Sequence, residues 1–169
     1  RPQVALSVLD ERGLVTSVVL EILDLIAEPD AVIAAGHLHI SEIWPLFEAA
    51  RRAGVKRLVV NHPALFIGAD LADMRELAKA GVYLEQCACM LIECAGRHHS
   101  NEEPQSFIEA GGIDQTILSS DLGQPANPRP VEGFREVIRL CLSLGFSDEE
   151  VRTMTGNNAA RLLGLDEKA

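Results

Sequence analysis

The sequence predicts an α/β fold with a parallel sheet, and three observations lead to this prediction. Four apolar, strand-like runs begin near residues 31, 55, 82 and 115, so their starts are separated by 24, 27 and 33 residues. These spacings are close to the ~30 residues of a strand-helix-strand unit. Segments with helical periodicity lie between the runs, and the runs are nearly continuously apolar. Such strands are typical of a parallel sheet that helices cover on both faces.

The helices are predicted from their caps and their terminating glycines. A first amphipathic helix spans 16–28, and Ser41 is the predicted N-cap of a second helix over 42–53. Asp70 and Asp73 have the spacing of a capping box before a helix over 71–80. Later helices are predicted after Ser100-x-x-Glu103, over 131–144, after Ser147-x-x-Glu150 and in the closing segment NNAARLLGL.

The N-terminal segment leaves two structures open. Residues 4–9 form either one more strand of the sheet or half of a hairpin with residues 14–15. The turn residues 10–13 lie between the two halves of that hairpin.

Composition restricts the possible partners. The chain has 169 residues, 47% of them hydrophobic, which is enough for one well-packed domain. A formal net charge of −10 disfavours nucleic acids and anionic membranes as partners. The sequence has neither a signal-peptide pattern nor an apolar stretch approaching the ~20 residues of a membrane span. We therefore expect a cytoplasmic protein that binds a small-molecule substrate and can form a homo-oligomer.

The four cysteines, Cys87, Cys89, Cys94 and Cys141, are too few and too clustered for a disulfide framework. Reduced thiols are therefore expected. Cys87-x-Cys89 lacks the second, similarly spaced pair that makes a thiolate zinc site convincing. Because free cysteine is among the most buried residue types, buried and inert thiols are favoured here over ligands or nucleophiles.

Each of the four runs ends on a residue with a metal-binding side chain. AVIAAGH ends at His37, KRLVVNH at His62, VYLE at Glu85 and TILSSD at Asp121. The carboxyl ends of parallel strands face one rim, so these residues are expected to converge. Two imidazoles and a carboxylate at one rim indicate a divalent metal with His37, His62 and Asp121 as ligands.

Structural roles are the alternative for these residues. A histidine at a strand end more often makes hydrogen bonds than binds a metal, and an aspartate such as Asp121 often caps a helix or forms a turn. Glu85 and Gln86 point to opposite faces of one strand, and either can be the inward one. If His39 lies in an extended strand, it shares a face with His37 and both can bind one ion. If His39 lies in a turn, a contact with the substrate is as probable as metal ligation.

Four segments carry a resemblance: GHLHISEIWPLFEAARRAGVKRLVVNHP, GVYLEQCACM, ILSSDLGQPANPRPVEGF and the closing NNAARLLGL. Together they resemble the C-terminal half of metal-dependent hydrolases of the amidohydrolase superfamily, in a poorly characterised branch, over about residues 28 to 165. The resemblance implies a parallel (β/α) barrel of which this chain, as a single domain over residues 1–169, holds only the C-terminal four or five βα units. It places His37 on the fifth barrel strand, His62 on the sixth, Glu85 on the seventh and Asp121 on the eighth.

The resemblance also implies that some of the superfamily's metal ligands are missing from these residues. In that superfamily an H-x-H pair on the first strand binds metal together with histidines on the fifth and sixth strands and an aspartate on the eighth. No D-x-H-x-H segment precedes His37. We therefore expect additional chain, or a second copy, to cover the edges of the sheet; without the first half, the usual two-metal centre cannot assemble.

The implied activity is metal-dependent hydrolysis. A divalent ion, most plausibly zinc, activates water for attack on a small-molecule amide, ester, lactone or phosphoester. Asp121 is the expected proton acceptor, with His39 and Glu85 as substrate contacts. A related metal-dependent decarboxylase and a non-catalytic half-barrel subunit are the alternatives. A doubly wound domain with an anion site at residues 123–127 is the least favoured, because the chain has no glycine-rich phosphate motif.

Overall fold

The computed structural model describes residues 7–95, 100 and 103–165. Its strands are β1 (Val32–Ala34), β2 (Arg57–Asn61), β3 (Tyr83–Cys87) and β4 (Thr116–Ser119). Its α-helices are α1 (Ser17–Ala27), α2 (Ile40–Arg52), α3 (Leu71–Lys79), α4 (Ala88–Leu91), α5 (Glu103–Gly111), α6 (Pro130–Ser143), α7 (Asp148–Arg152) and α8 (Asn158–Leu163). A 3-10 turn (Ile113–Gln115) precedes β4, and a π-helical turn (Thr153–Asn157) joins α7 to α8. In the described part of the chain, no helix combines the length and the apolar character needed to cross a membrane.

The four strands form one parallel sheet in the order β1-β2-β3-β4. This confirms the predicted parallel direction and the order implied by the resemblance, which places these strands consecutively in the barrel. Asn61 pairs with Glu85 across β2 and β3, and Cys87 pairs with Ser119 across β3 and β4. Because the strands all run in one direction, the segments that follow their C-terminal ends lie on one rim of the sheet.

Two helices begin with the predicted capping boxes. The Asp70 carboxylate accepts the backbone N–H of Asp73, while the Asp73 carboxylate accepts the backbone N–H of Asp70. Ser147 and Glu150 make the same reciprocal pair at the start of α7. Each box satisfies N–H groups that the first helical turn leaves without partners.

The start of α2 differs from the prediction. The helix begins at Ile40, and its N-cap is His39 rather than Ser41. Nδ1 of His39 accepts the backbone N–H of Ser41 at 3.3 Å and lies 2.9 Å from the Ser41 hydroxyl. An imidazole nitrogen here performs the task that a side-chain oxygen usually performs at an N-cap, which is why residue preferences misplaced the cap.

The N-terminal segment supports the hairpin over the extra strand. Leu9 and Val15 form an isolated antiparallel bridge, and the backbone N–H of Asp10 donates to the Leu14 carbonyl at 2.8 Å. The Asp10 carboxylate accepts the backbone N–H groups of Arg12 and Leu14 inside the turn. The start of the predicted segment, residues 4–6, lies outside the described residues.

The sheet buries one face completely. Ile33, Leu58, Val60 and Leu84 point to this outer face and join the main hydrophobic core with residues of α2, α3 and α5. Because successive residues of a strand point to opposite faces, Val59 and its neighbours at alternate positions form the inner face.

The inner face changes character along the strands. Near their N-terminal ends, Val59 and Ile117 pack against Leu162 of α8, and Val32 and Tyr83 lie against the same cluster. Towards the C-terminal ends the inner side chains become polar and line an open cavity. The predicted cover on both faces is therefore correct for the outer face and wrong for the C-terminal half of the inner face.

Candidate functional site

A cavity of about 270 Å³ opens at the C-terminal ends of the strands. It is lined by Asn61, His62, Glu85, Cys87, Ser119, Ser120 and Asp121. Four of these residues belong to strands β2, β3 and β4 at inward positions, and the others directly follow β2 or β4. The parallel topology thus brings side chains from three separate segments into one site.

His62 and Asp121 reach the cavity through the same uncommon backbone conformation. Their φ angles are 50° and 46°, in the left-handed region that residues other than glycine seldom adopt. His62 comes directly after β2, and its N–H still donates to the Glu85 carbonyl at 3.2 Å before the chain turns. Strain of this kind costs on the order of 1 kcal/mol and concentrates at functional sites.

The side chains of His62 and Asp121 face each other. Nε2 of His62 lies 3.9 Å from Oδ2 of Asp121; the imidazole is 11% exposed and the carboxylate 47%. Burial lowers the pKa of His62, and the negative charge of Asp121 opposes this effect only in part. A neutral imidazole results at neutral pH, which is the form that binds metal ions.

Cys87 is the third member of this group. The potential ligand atoms of His62, Cys87 and Asp121 all lie within 4.8 Å of one another. The Cys87 sulfur is 3.2 Å from the Ser119 hydroxyl, and burial raises the pKa of the free thiol to about 12. The sequence favours a buried, inert thiol at Cys87, although the two-residue spacing from Glu85 places both side chains on one face of the strand.

His37 lies beside this group. Its ring centroid is 5.1 Å from that of His62, with a tilt of 35° between the planes, and the Phe66 ring contacts both imidazoles. The Asn61 side-chain oxygen accepts the N–H of Gly36 at 3.0 Å and so holds the turn before His37. His37 is near the cavity without being part of the tight group, and its role as a ligand stays a prediction.

The two predicted substrate contacts differ in position. Glu85 points into the cavity and accepts a hydrogen bond from the Asn61 amide, whereas Gln86 is buried on the opposite face. His39 caps α2, with its ring packed so closely on Gly68 that a Cβ there would lie 2.6 Å from Nε2. His39 does not line the cavity, and its contact with a substrate also stays a prediction.

The donor set fits a divalent metal ion. Imidazole, thiolate and carboxylate are the side-chain groups that bind such ions in proteins. In addition, Nδ1 of His62 is buried and has no hydrogen-bond partner among the described residues. Buried polar atoms almost always have a partner, so this nitrogen marks an interaction that the described chain does not itself supply.

Comparisons with solved structures define the class of fold. An amidohydrolase from Burkholderia multivorans, with bound HEPES, matches with a TM-score of 0.60 at 18% identity. The alignment covers 86% of this chain and 57% of that one. A second crystal form with bound Zn gives a TM-score of 0.59, again at 18% identity, and the alignment covers 86% of this chain and 56% of that one. A proposed 2-pyrone-4,6-dicarboxylic acid hydrolase from Pseudomonas putida gives 0.54 at 17% identity, with coverage of 86% and 56%.

These matches show that the chain has the fold of a little more than half of each of these structures, which is a partial barrel. The chain spans a little more than half the length of the structures it matches. At the level of sequence, it belongs to a family of unknown function (DUF6282), whose model matches residues 1–85. No curated protein matches it.

Proposed function

We propose that this chain is the C-terminal half of a metal-dependent hydrolase that acts on a small-molecule amide, ester, lactone or phosphoester. The observation that carries the proposal is the approach of His62 to Asp121 at the rim of a partial amidohydrolase-type barrel. Both residues were predicted as ligands from the sequence. The bound Zn in one similar structure supports zinc as the metal.

The chemistry follows from the positions of the side chains. A divalent ion bound here would supply Lewis acidity, which lowers the pKa of bound water from ~15.7 towards ~7 and polarises a carbonyl or phosphoryl oxygen. His62 would provide an imidazole ligand to this ion, and the His37 ring beside it is the second predicted imidazole ligand. The carboxylate of Asp121 lies half exposed at the cavity, where it accepts a proton from water and passes it to the leaving group. Glu85, held by Asn61, binds polar groups of the substrate.

We further propose that residues 1–169 form one domain whose barrel is completed by additional strands. Within the described residues, β1 and β4 each pair with a single neighbour, which leaves one edge of each unpaired. Unpaired edges of a sheet promote pairing with further chain. Additional segments of the same protein, or a second copy of the chain, would cover them.

The test combines zinc analysis with a hydrolysis screen of small-molecule lactones, amides and phosphoesters. In Asp121→Asn, which preserves volume but removes a charge and a proton acceptor, we expect any activity found to fall by at least about 100-fold. The matched control is Asp114→Asn, because Asp114 lies at the opposite end of β4 and is 81% exposed. Equal activity in Asp121→Asn and wild type would overturn the proposal, as would a protein that binds no divalent metal.

A further inference from the structure

We propose that Cys87 is a metal ligand, so that the ion is held by an imidazole, a thiolate and a carboxylate. This inference rests on the metal site proposed above and assigns one of its donors. Cys87 is the last residue of β3, it is 2% exposed, and it points to the same inner face as Glu85.

The distances among the three side chains support direct ligation. Zinc binds nitrogen and oxygen at about 2.0–2.2 Å and sulfur at about 2.3 Å, so two ligand atoms of a tetrahedral site lie about 3.3–3.7 Å apart. The donor atoms of His62, Cys87 and Asp121 all lie within 4.8 Å of one another. Side-chain adjustments of at most about 1.5 Å therefore bring them to ligand separations.

The other cysteines have different surroundings. The Cys89 thiol donates to Oδ2 of Asp121 at 3.3 Å, and the Cys94 thiol donates to the Cys89 carbonyl at 3.0 Å. Cys141 packs in a separate hydrophobic cluster with residues of α5, β4 and α7. Among the described cysteines, only Cys87 joins His62 and Asp121 in the tight group of donor atoms. Cys89 instead makes a hydrogen bond to the Asp121 carboxylate.

A thiolate ligand changes which metal ions the site prefers. Soft sulfur ligands favour zinc over magnesium, calcium and manganese, which prefer oxygen donors. Together with Asp121, a Cys87 thiolate places two negative charges against a divalent cation, and the thiol proton is released when the metal binds. With His37 outside the tight group, the three ligands His62, Cys87 and Asp121 leave a coordination position open, as in catalytic zinc sites.

Cobalt substitution tests the assignment with a readout that is independent of activity. Wild-type protein loaded with Co²⁺ should show near-ultraviolet thiolate-to-cobalt charge transfer, and Cys87→Ser should lose this band. Zinc affinity of Cys87→Ser should fall by more than about tenfold, since even residues that only orient a ligand contribute that much. Cys141→Ser is the matched control, and both it and Cys89→Ser should keep the band. X-ray absorption at the zinc edge of the wild type provides a readout without any variant: one sulfur at about 2.3 Å.

The outcomes separate this inference from the proposed function. If Cys87→Ser keeps the charge-transfer band, or if the wild type binds cobalt without one, Cys87 is not a ligand, while the hydrolase proposal stands on His37, His62 and Asp121. If the wild type binds neither zinc nor cobalt, both proposals fail. If Cys87→Ser does not fold, the absence of sulfur around wild-type zinc still overturns the inference.

Discussion

Replacing Asn158 by alanine tests how the C-terminal helix is held against the sheet. Asn158 is 0% exposed, and its amide donates to the carbonyl oxygens of Ile113 at 2.7 Å and Thr116 at 2.6 Å. Its side-chain oxygen accepts from Arg161 at 3.1 Å. The variant loses two hydrogen bonds to backbone carbonyls, each worth about 0.5–1.5 kcal/mol, and leaves a small cavity. We expect the free energy of unfolding to fall by about 2–4 kcal/mol.

Urea unfolding followed by circular dichroism measures this loss. With a urea m-value of about 2 kcal/mol/M, the midpoint should drop by about 1–2 M. Fluorescence of Trp44, the single tryptophan, gives a second probe of the same transition. The neighbouring Asn157 is exposed and serves as the matched control. Asn157→Ala should change the stability by no more than about 0.5 kcal/mol.

Asn158→Asp extends the test without changing the size of the side chain. It replaces the donating amide by an oxygen that faces the two carbonyls, so it should destabilise at least as much as alanine. The reasoning is refuted if Asn158→Ala loses no more stability than Asn157→Ala. It is equally refuted if Asn158→Asp unfolds at the wild-type midpoint.

Two further predictions concern stability. Gly111→Ala should destabilise by about 1–3 kcal/mol, because its Cβ would lie 2.9 Å from buried side-chain atoms of β3 and β4. At Gly156, in a helical segment, an added Cβ would meet open space, so Gly156→Ala should stabilise the protein by about 0.5–1 kcal/mol. Thermal melts in which Gly111→Ala is the more stable of the two variants would contradict this reasoning. The hydrogen bond from Arg57 lowers the pKa of Asp30 in the folded protein. The ion pair therefore stabilises the fold fully above the ordinary aspartate pKa of about 3.9, and this stabilisation is lost as the pH falls through the lower folded-state pKa. Asp30→Asn should therefore melt below the wild type at pH 7 and converge with it in strong acid, and a gap that does not depend on pH would argue against this ion pair.

The parallel sheet and most helix boundaries were predictable because they depend on local patterns. The spacing of the apolar runs predicted parallel strands, and the Asp70–Asp73 and Ser147–Glu150 pairs marked two helix starts. The His39 cap was not predictable, since histidine is not among the residues that N-cap preferences favour. The partly open inner face was also missed, because the cover from α8 depends on a contact between distant parts of the chain.

The sequence by itself determined that His62 and Asp121 lie at one rim, because parallel strands place their carboxyl ends together wherever they occur in the chain. Only the tertiary structure decided which face of β3 looks inward. A period of two fits Glu85 and Cys87 as well as it fits Gln86, and the choice depends on which side the helices bury. Packing of α2, α3 and α5 against the other face turned Cys87 towards His62 and Asp121. A thiol that the sequence favours as inert thereby becomes a candidate ligand, because burial is decided by long-range contacts that no local pattern contains.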